Sequence, residues 1–185
     1  FNSLCFAPYI NNDKLRLIMN VYQLLQENVE KFGDKAALVF KEQEISFTEL
    51  KRQTIQFATG LRAKGVNKGD KIAFYLPNCP EDVYTYLATF CLGTVGVPLD
   101  FMLKNDELIS CLTHADTKVF ICLEKNDLDL QVIKDAVPSL EQIIILGEGH
   151  DGFLGWGDVM QAGSQDLTPP DIQDTDPALI MYTSG

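Results

Sequence analysis

The chain has 185 residues, 46% of them hydrophobic and 22% charged, and carries a formal net charge of -11. This length suffices for one domain with a sizeable core. The acidic balance argues against a nucleic-acid partner, whose phosphates need a basic face, but it leaves a nucleotide open, because backbone N–H groups hold phosphate without basic side chains.

Residues 1–18 begin without a Met and have no basic n-region or small-residue cleavage site, so they fit a signal peptide poorly. We expect them to be non-native or to derive from upstream of the natural start, because well-patterned sequence begins at Met19. Val21, Leu24, Leu25, Asn28, Val29 and Phe32 approximate one helical face, which Gly33 stops. Residues 36–40 and 44–47 read as a hairpin turning at Lys41-Glu42-Gln43. Thr48 is the expected cap of a helix that reaches Lys64, with Leu50, Ile55, Phe57, Ala58 and Leu61 buried, and Gly65 ends it.

A short apolar run at 71–76, between Gly69-Asp70 and Pro77-Asn78, is a buried strand. A helix over 81–92 follows, with acids in its first turn, and then a strand over 95–99. The uncharged stretch 83–99 lies near the lower limit of roughly 17–25 residues for a membrane span. Gly93, Gly96 and Pro98 break it, so a buried helix and strand explain it better. Asn105 is placed to cap a helix to His114; a strand at 118–123, a helix at 130–137 and a strand at 143–146 complete the rhythm. Glycines and prolines then mark a surface excursion over 147–176, with a short helix at 156–161. A final buried strand at 178–182 ends on Thr183-Ser184-Gly185, and nothing follows to cover it, so we expect a truncation. Such alternation predicts an α/β fold, a largely parallel sheet with helices on both faces and ligands at the carboxyl ends of the strands.

The five cysteines, Cys5, Cys79, Cys91, Cys111 and Cys122, form no C-x-x-C pair and read as reduced, mostly buried thiols. His114 sits near a helix end, and His150, beside Asp151 in a Gly-rich loop, reads as solvated. No His/Cys cluster suggests a metal. Asp174 and Asp176 read as turn formers rather than Mg²⁺ ligands, and Trp156 as an anchor for its loop. The Thr183-Ser184-Gly185 turn after a strand has the chemistry to hold an anion through hydroxyls and consecutive N–H groups, but these residues by themselves read first as an ordinary polar turn. The full P-loop signature G-x-x-x-x-G-K-[ST] does not occur.

Tyr182-Thr183-Ser184-Gly185 resembles the opening of the signature loop of adenylate-forming (AMP-binding) enzymes. Further resemblances lie in order along the chain: Ile45-Ser46-Phe47-Thr48-Glu49-Leu50, the stretch 65–73 (GVNKGDKIA) with Leu76-Pro77-Asn78, the stretch 93–100 (GTVGVPLD), and Asp176-Pro177 ahead of the signature. Residues 103–108 and 138–147 resemble medium- and long-chain acyl-CoA ligases, whereas Asp100 is commoner in peptide-synthetase adenylation domains and Phe101 departs from the usual Pro.

The resemblance implies that residues 19–185 form the first part of the large N-terminal domain of an acyl-CoA ligase, cut within the phosphate-binding loop. It implies ATP, Mg²⁺ and coenzyme A as cofactors, a carboxylic acid of the fatty class as substrate, and a cytoplasmic protein with at most peripheral membrane contact. Thr183, Ser184 and Gly185 are the implied contacts to the ATP phosphates, and the earlier motifs are scaffold. The loop lysine, the adenine-stacking aromatic, the ribose-binding acid and the catalytic lysine of the family all lie beyond residue 185, so no catalytic residue falls within the chain and the fragment is expected to be inactive. The alternatives are an adenylation domain of a peptide-synthetase-like system, or a non-catalytic binding module marked by an exposed apolar surface.

Overall fold

The computed structural model describes residues 21–125 and 128–183. The expectation for residues 1–18, and Cys5, Ser184 and Gly185, lie outside the described residues. Helix α1 (Val21–Phe32) leads into a hairpin of β1 (Ala36–Phe40) and β2 (Gln43–Ser46). Phe40 pairs with Gln43, so the turn is two residues long, with Lys41 at φ 56°. Helix α2 (Phe47–Ala63) follows at once. Its cap is Ser46 rather than the expected Thr48: Ser46 keeps extended backbone because it still pairs with Ala36, and its Oγ accepts from Glu49 N at 3.2 Å.

The main sheet contains β3 (Lys71–Tyr75), β4 (Val95–Pro98), β5 (Val119–Cys122), β6 (Gln142–Ile145) and β7 (Leu154–Gly155), all parallel and in the order β4-β3-β5-β6-β7. Crossovers α3 (Pro80–Leu92), α4 (Asn105–His114) and α5 (Leu130–Ala136) link successive strands, and α6 (Trp156–Ala162) follows β7. Asn105, the expected cap of α4, is its first helical residue; Lys104 holds the cap position, where its N–H donates to Glu107 Oε2 at 2.9 Å.

Side-chain alternation divides the core. Ile72, Phe74, Val119, Ile121 and Ile144 face α2, α3 and α6, while Ala73, Tyr75, Phe120, Cys122, Ile143 and Ile145 face α4 and α5. With both faces covered, the strands are continuous apolar runs, as the sequence pattern requires. Trp156 anchors its loop, as expected, by stacking on Phe57 with ring centroids 3.9 Å apart.

The expected final strand is a correction. Among the described residues only one parallel bridge forms here, between Leu179 and Gly96, closed by Gly96 N donating to Ala178 O and Ile180 N to Gly96 O, both at 2.9 Å. Met181 is 68% exposed and Tyr182 37%, because the segment lies at the open edge beyond β4 instead of between strands. Gly96 permits this approach: a Cβ there would meet Leu179 Cδ2 at 2.9 Å.

Candidate functional site

A doubly wound sheet offers its ligand crevice where the strand order reverses. Here β3 leads outward to β4 and β5 leads outward to β6, so the reversal lies between the carboxyl ends of β3 and β5. Lys125 fills that crevice. Its Nζ donates to Tyr75 Oη at 2.7 Å and to Phe101 O, and it lies 3.8 Å from the Phe101 ring centroid. Tyr75 Oη donates in turn to Leu103 O at 2.8 Å. Sequence reading missed this lysine, which lies 50 positions from Tyr75.

An open cleft of about 450 Å³ lies on the other side, between the ends of β3 and β4. Leu76, Tyr86, Leu99 and Phe101 supply apolar walls, and Asn78, Asp82 and Asp100 the polar atoms. Asp100 Oδ1 accepts from Met102 N at 2.9 Å, which shapes the turn that carries Phe101. Asp82, in the first turn of α3, is half-buried, and burial pushes its carboxyl up to about 6.

A second cleft, about 530 Å³, lies beyond the ends of β5 and β6 and is lined by Glu124, Leu128, Leu130, His150, Asp151 and Phe153 among others. His150 is exposed, as expected, and also paired, with Nε2 2.7 Å from Glu124 Oε2 and Nδ1 3.2 Å from Asp151 Oδ2. These carboxylates, Glu124 foremost, raise its pKa. Asp176 behaves as the expected turn former: it accepts from Gln173 N at 2.8 Å and pairs with Lys68 at 2.7 Å, a contact that holds its carboxyl below the usual range.

Cys79, Cys91 and Cys122 are buried, and burial pushes each thiol up to about 12. Of the three expected phosphate contacts, Thr183 is exposed at the end of the segment that runs alongside β4 toward its carboxyl end. Tyr182, just before it, reaches α4: its Oη lies 2.9 Å from Cys111 O and 3.0 Å from His114 Nδ1.

Residues 25–185 match the family described as AMP-binding enzyme. The chain belongs to that family. Similar curated relatives of this AMP-binding chain include the acetyl-coenzyme A synthetases of Shewanella frigidimarina (26% identical, 87% of this chain and 28% of that protein) and Shewanella denitrificans (29% identical, 87% and 28%). The chain thus spans less than a third of the length of these relatives. Among solved structures, the anthranilate CoA ligase AuaEII in complex with anthranoyl-AMP has the same fold at a TM-score of 0.84 (24% identical, 95% of this chain and 34% of that one). A putative long-chain-fatty-acid CoA ligase from Rhodopseudomonas palustris superposes with a TM-score of 0.82 (19% identical, 91% and 42%). The Klebsiella oxytoca NpsA N-terminal subdomain gives a TM-score of 0.67 at 27% identity over 90% of this chain and 39% of that one.

For Mg²⁺ the fit is absent among the described residues: no group of three His, Cys, Asp or Glu side chains is arranged to hold a metal ion, so no ligand is assigned to it. No helix among the described residues is long and apolar enough to cross a membrane.

Proposed function

We propose that this chain is the N-terminal part of an ATP-dependent acyl-CoA ligase and that Thr183, Ser184 and Gly185 contact the ATP phosphates. The observation that carries this reading is the family match, which runs through the edge segment to residue 185. In the proposed reaction a carboxylate oxygen of the acid attacks the α-phosphorus of ATP and pyrophosphate leaves. The thiolate of coenzyme A then attacks the acyl carbonyl and AMP leaves. The role of this chain is to hold the phosphates while charge shifts to the leaving group, through hydroxyls and backbone N–H groups that need no reorganisation. The acid is of the fatty class on the motif resemblance, whereas the curated relatives are named for acetate.

The test is to read the gene beyond Gly185 and assay its product for acid-dependent ATP–pyrophosphate exchange, with acids from acetate to palmitate. The 185-residue chain alone should release no pyrophosphate. A stop codon directly after Gly185, or exchange with none of the acids, would overturn the ligase reading. The adenylation-domain reading has one observation of its own, the 27% identity to the NpsA subdomain. Transfer of the acyl group to a carrier protein but not to coenzyme A would establish it.

A further inference from the structure

We infer that Tyr182 is a positioning residue whose hydroxyl fixes the exit of the chain into the phosphate loop, and that His114 supports it by donating to that hydroxyl. The inference rests on the phosphate-loop reading proposed above.

The segment before Thr183 has a slender hold on the sheet. Its backbone is tied at one bridge, through Gly96 N to Ala178 O and Ile180 N to Gly96 O. Beyond Ile180 the chain no longer follows β4, and Met181 projects into solvent. The next fixed point is the Tyr182 hydroxyl, which meets Cys111 O at 2.9 Å and His114 Nδ1 at 3.0 Å on the last turn of α4. The two rings meet edge to face, 5.8 Å between centroids.

The donors and acceptors leave one consistent assignment. A carbonyl oxygen only accepts, so the single hydroxyl proton of Tyr182 goes to Cys111 O, which also accepts from Ala115 N at 2.9 Å. The phenol oxygen is then the acceptor toward His114, and Nδ1 carries the imidazole proton. His114 is held in its Nδ1–H tautomer by a tyrosine 68 positions away. A chain of donors thus runs from His114 through Tyr182 to a carbonyl at the C-terminal end of α4, where a donor is favoured. The edge segment is thereby gripped at both ends, at Leu179 and at Tyr182, and Thr183 leaves from the second grip. A loop that must present N–H groups and hydroxyls to phosphate within a fraction of an ångström requires such a fixed origin.

The test uses the 185-residue chain and Tyr182→Phe, which keeps the ring and removes the hydroxyl. In the variant, Ile180 amide exchange should be about five- to tenfold faster, the equivalent of one hydrogen bond. Exchange in β3 and β5 should be unchanged. The ¹⁵N shifts of His114 should report an Nδ1–H tautomer in the parent and its loss in the variant. Titration with MgATP should move the Thr183 amide resonance in the parent, at a concentration about fivefold lower than in the variant. Unchanged Ile180 exchange together with an unchanged His114 tautomer would overturn the anchor. Equal MgATP titrations in parent and variant, with the anchor readouts altered, would overturn the positioning role. A Thr183 resonance that MgATP leaves unmoved in a parent with an intact anchor would overturn the phosphate-loop reading itself.

Discussion

Helix α6 is seated on α2 at a spot where only glycine fits, and Gly60→Ala should unseat it. An ideal Cβ at Gly60 would lie 2.1 Å from Val159 O, 2.9 Å from Val159 C and 3.0 Å from Val159 Cγ1. The obstacle is chiefly backbone, which cannot swing aside as a side-chain tip can. Restoring the 3.4 Å at which ordinary contact begins requires α6 to retreat by roughly 1.3 Å. Overpacking of this kind costs about 1–3 kcal/mol. The retreat also stretches two bonds between these segments, Gln56 Nε2 to Met160 O (3.0 Å) and Thr59 Oγ1 to Ser164 O (2.8 Å), each worth about 1 kcal/mol. Against these losses, alanine is better than glycine inside a helix by about 1 kcal/mol. The net expectation is a loss of about 3 kcal/mol, a fall in Tm of about 6–12 °C for a chain of this size. Thermal unfolding followed by circular dichroism measures it. Gly157→Ala is the control: it lies within α6, nothing stands within 4 Å of its Cβ, and it should be neutral or stabilising by up to about 1 kcal/mol. If Gly60→Ala proves as stable as the parent, α6 does not rest on α2 as described.

Three further outcomes are expected. Burial raises the Asp82 pKa to about 6, so the folded state binds this proton more tightly than the unfolded chain; the group is neutral and without penalty below the unfolded value near 4, and its ionisation erodes stability as pH rises toward 6. Asp82→Asn should therefore stabilise the chain at pH 7.5 relative to pH 3.5, by on the order of 1 kcal/mol after discounting for partial exposure; equal effects in urea unfolding at both pH values would contradict this. Ser46→Ala removes the acceptor for Glu49 N and should cost about 1 kcal/mol, whereas Thr48→Ala should cost little, and a reversed order in denaturant titrations would reinstate Thr48 as the cap. In native buffer, iodoacetamide should alkylate Cys111 well before Cys91 or Cys122, which are fully buried with thiols near 12; mass spectrometry that finds Cys122 modified first would show the second core face to be open.

The fold was legible wherever burial on both faces forced a continuous apolar run, as at 71–76, 118–123 and 143–146, because no polar residue can alternate into such a strand. The capping error at α2 has a local cause. Ser46 and Thr48 are both cap-type residues near the start of an apolar helix, and the choice falls to Ser46 because pairing with Ala36 keeps it extended. The error at 178–182 is of another kind. An apolar run reports that a strand is preferred, not how many neighbours it finds, and here β4 pairs with it only at Leu179. For the site, the proposal of Thr183 comes from resemblance to a signature, whereas Lys125, Tyr182 and His114 meet partners 24 to 71 positions distant, a relation that no local pattern encodes.

These placements bear on where a polyanion could sit. The crevice at the strand reversal carries a cation, but Tyr75, Phe101 O and the Phe101 ring already engage the Lys125 ammonium. The neighbouring cleft is open, yet its polar lining includes two carboxylates, Asp82 and Asp100. Above pH 6 the ionised Asp82 would repel a triphosphate within the roughly 8 Å over which charge acts at physiological salt. Neither opening suits phosphate, and a net charge of -11 supplies no general attraction. What suits phosphate is a loop that brings its own N–H groups and hydroxyls and leaves the sheet beside β4 from a fixed point. In the phosphate-loop reading proposed above, an acidic chain can meet an anion through oriented backbone dipoles, and Thr183, next to Tyr182 at α4, is the described residue from which that loop would start.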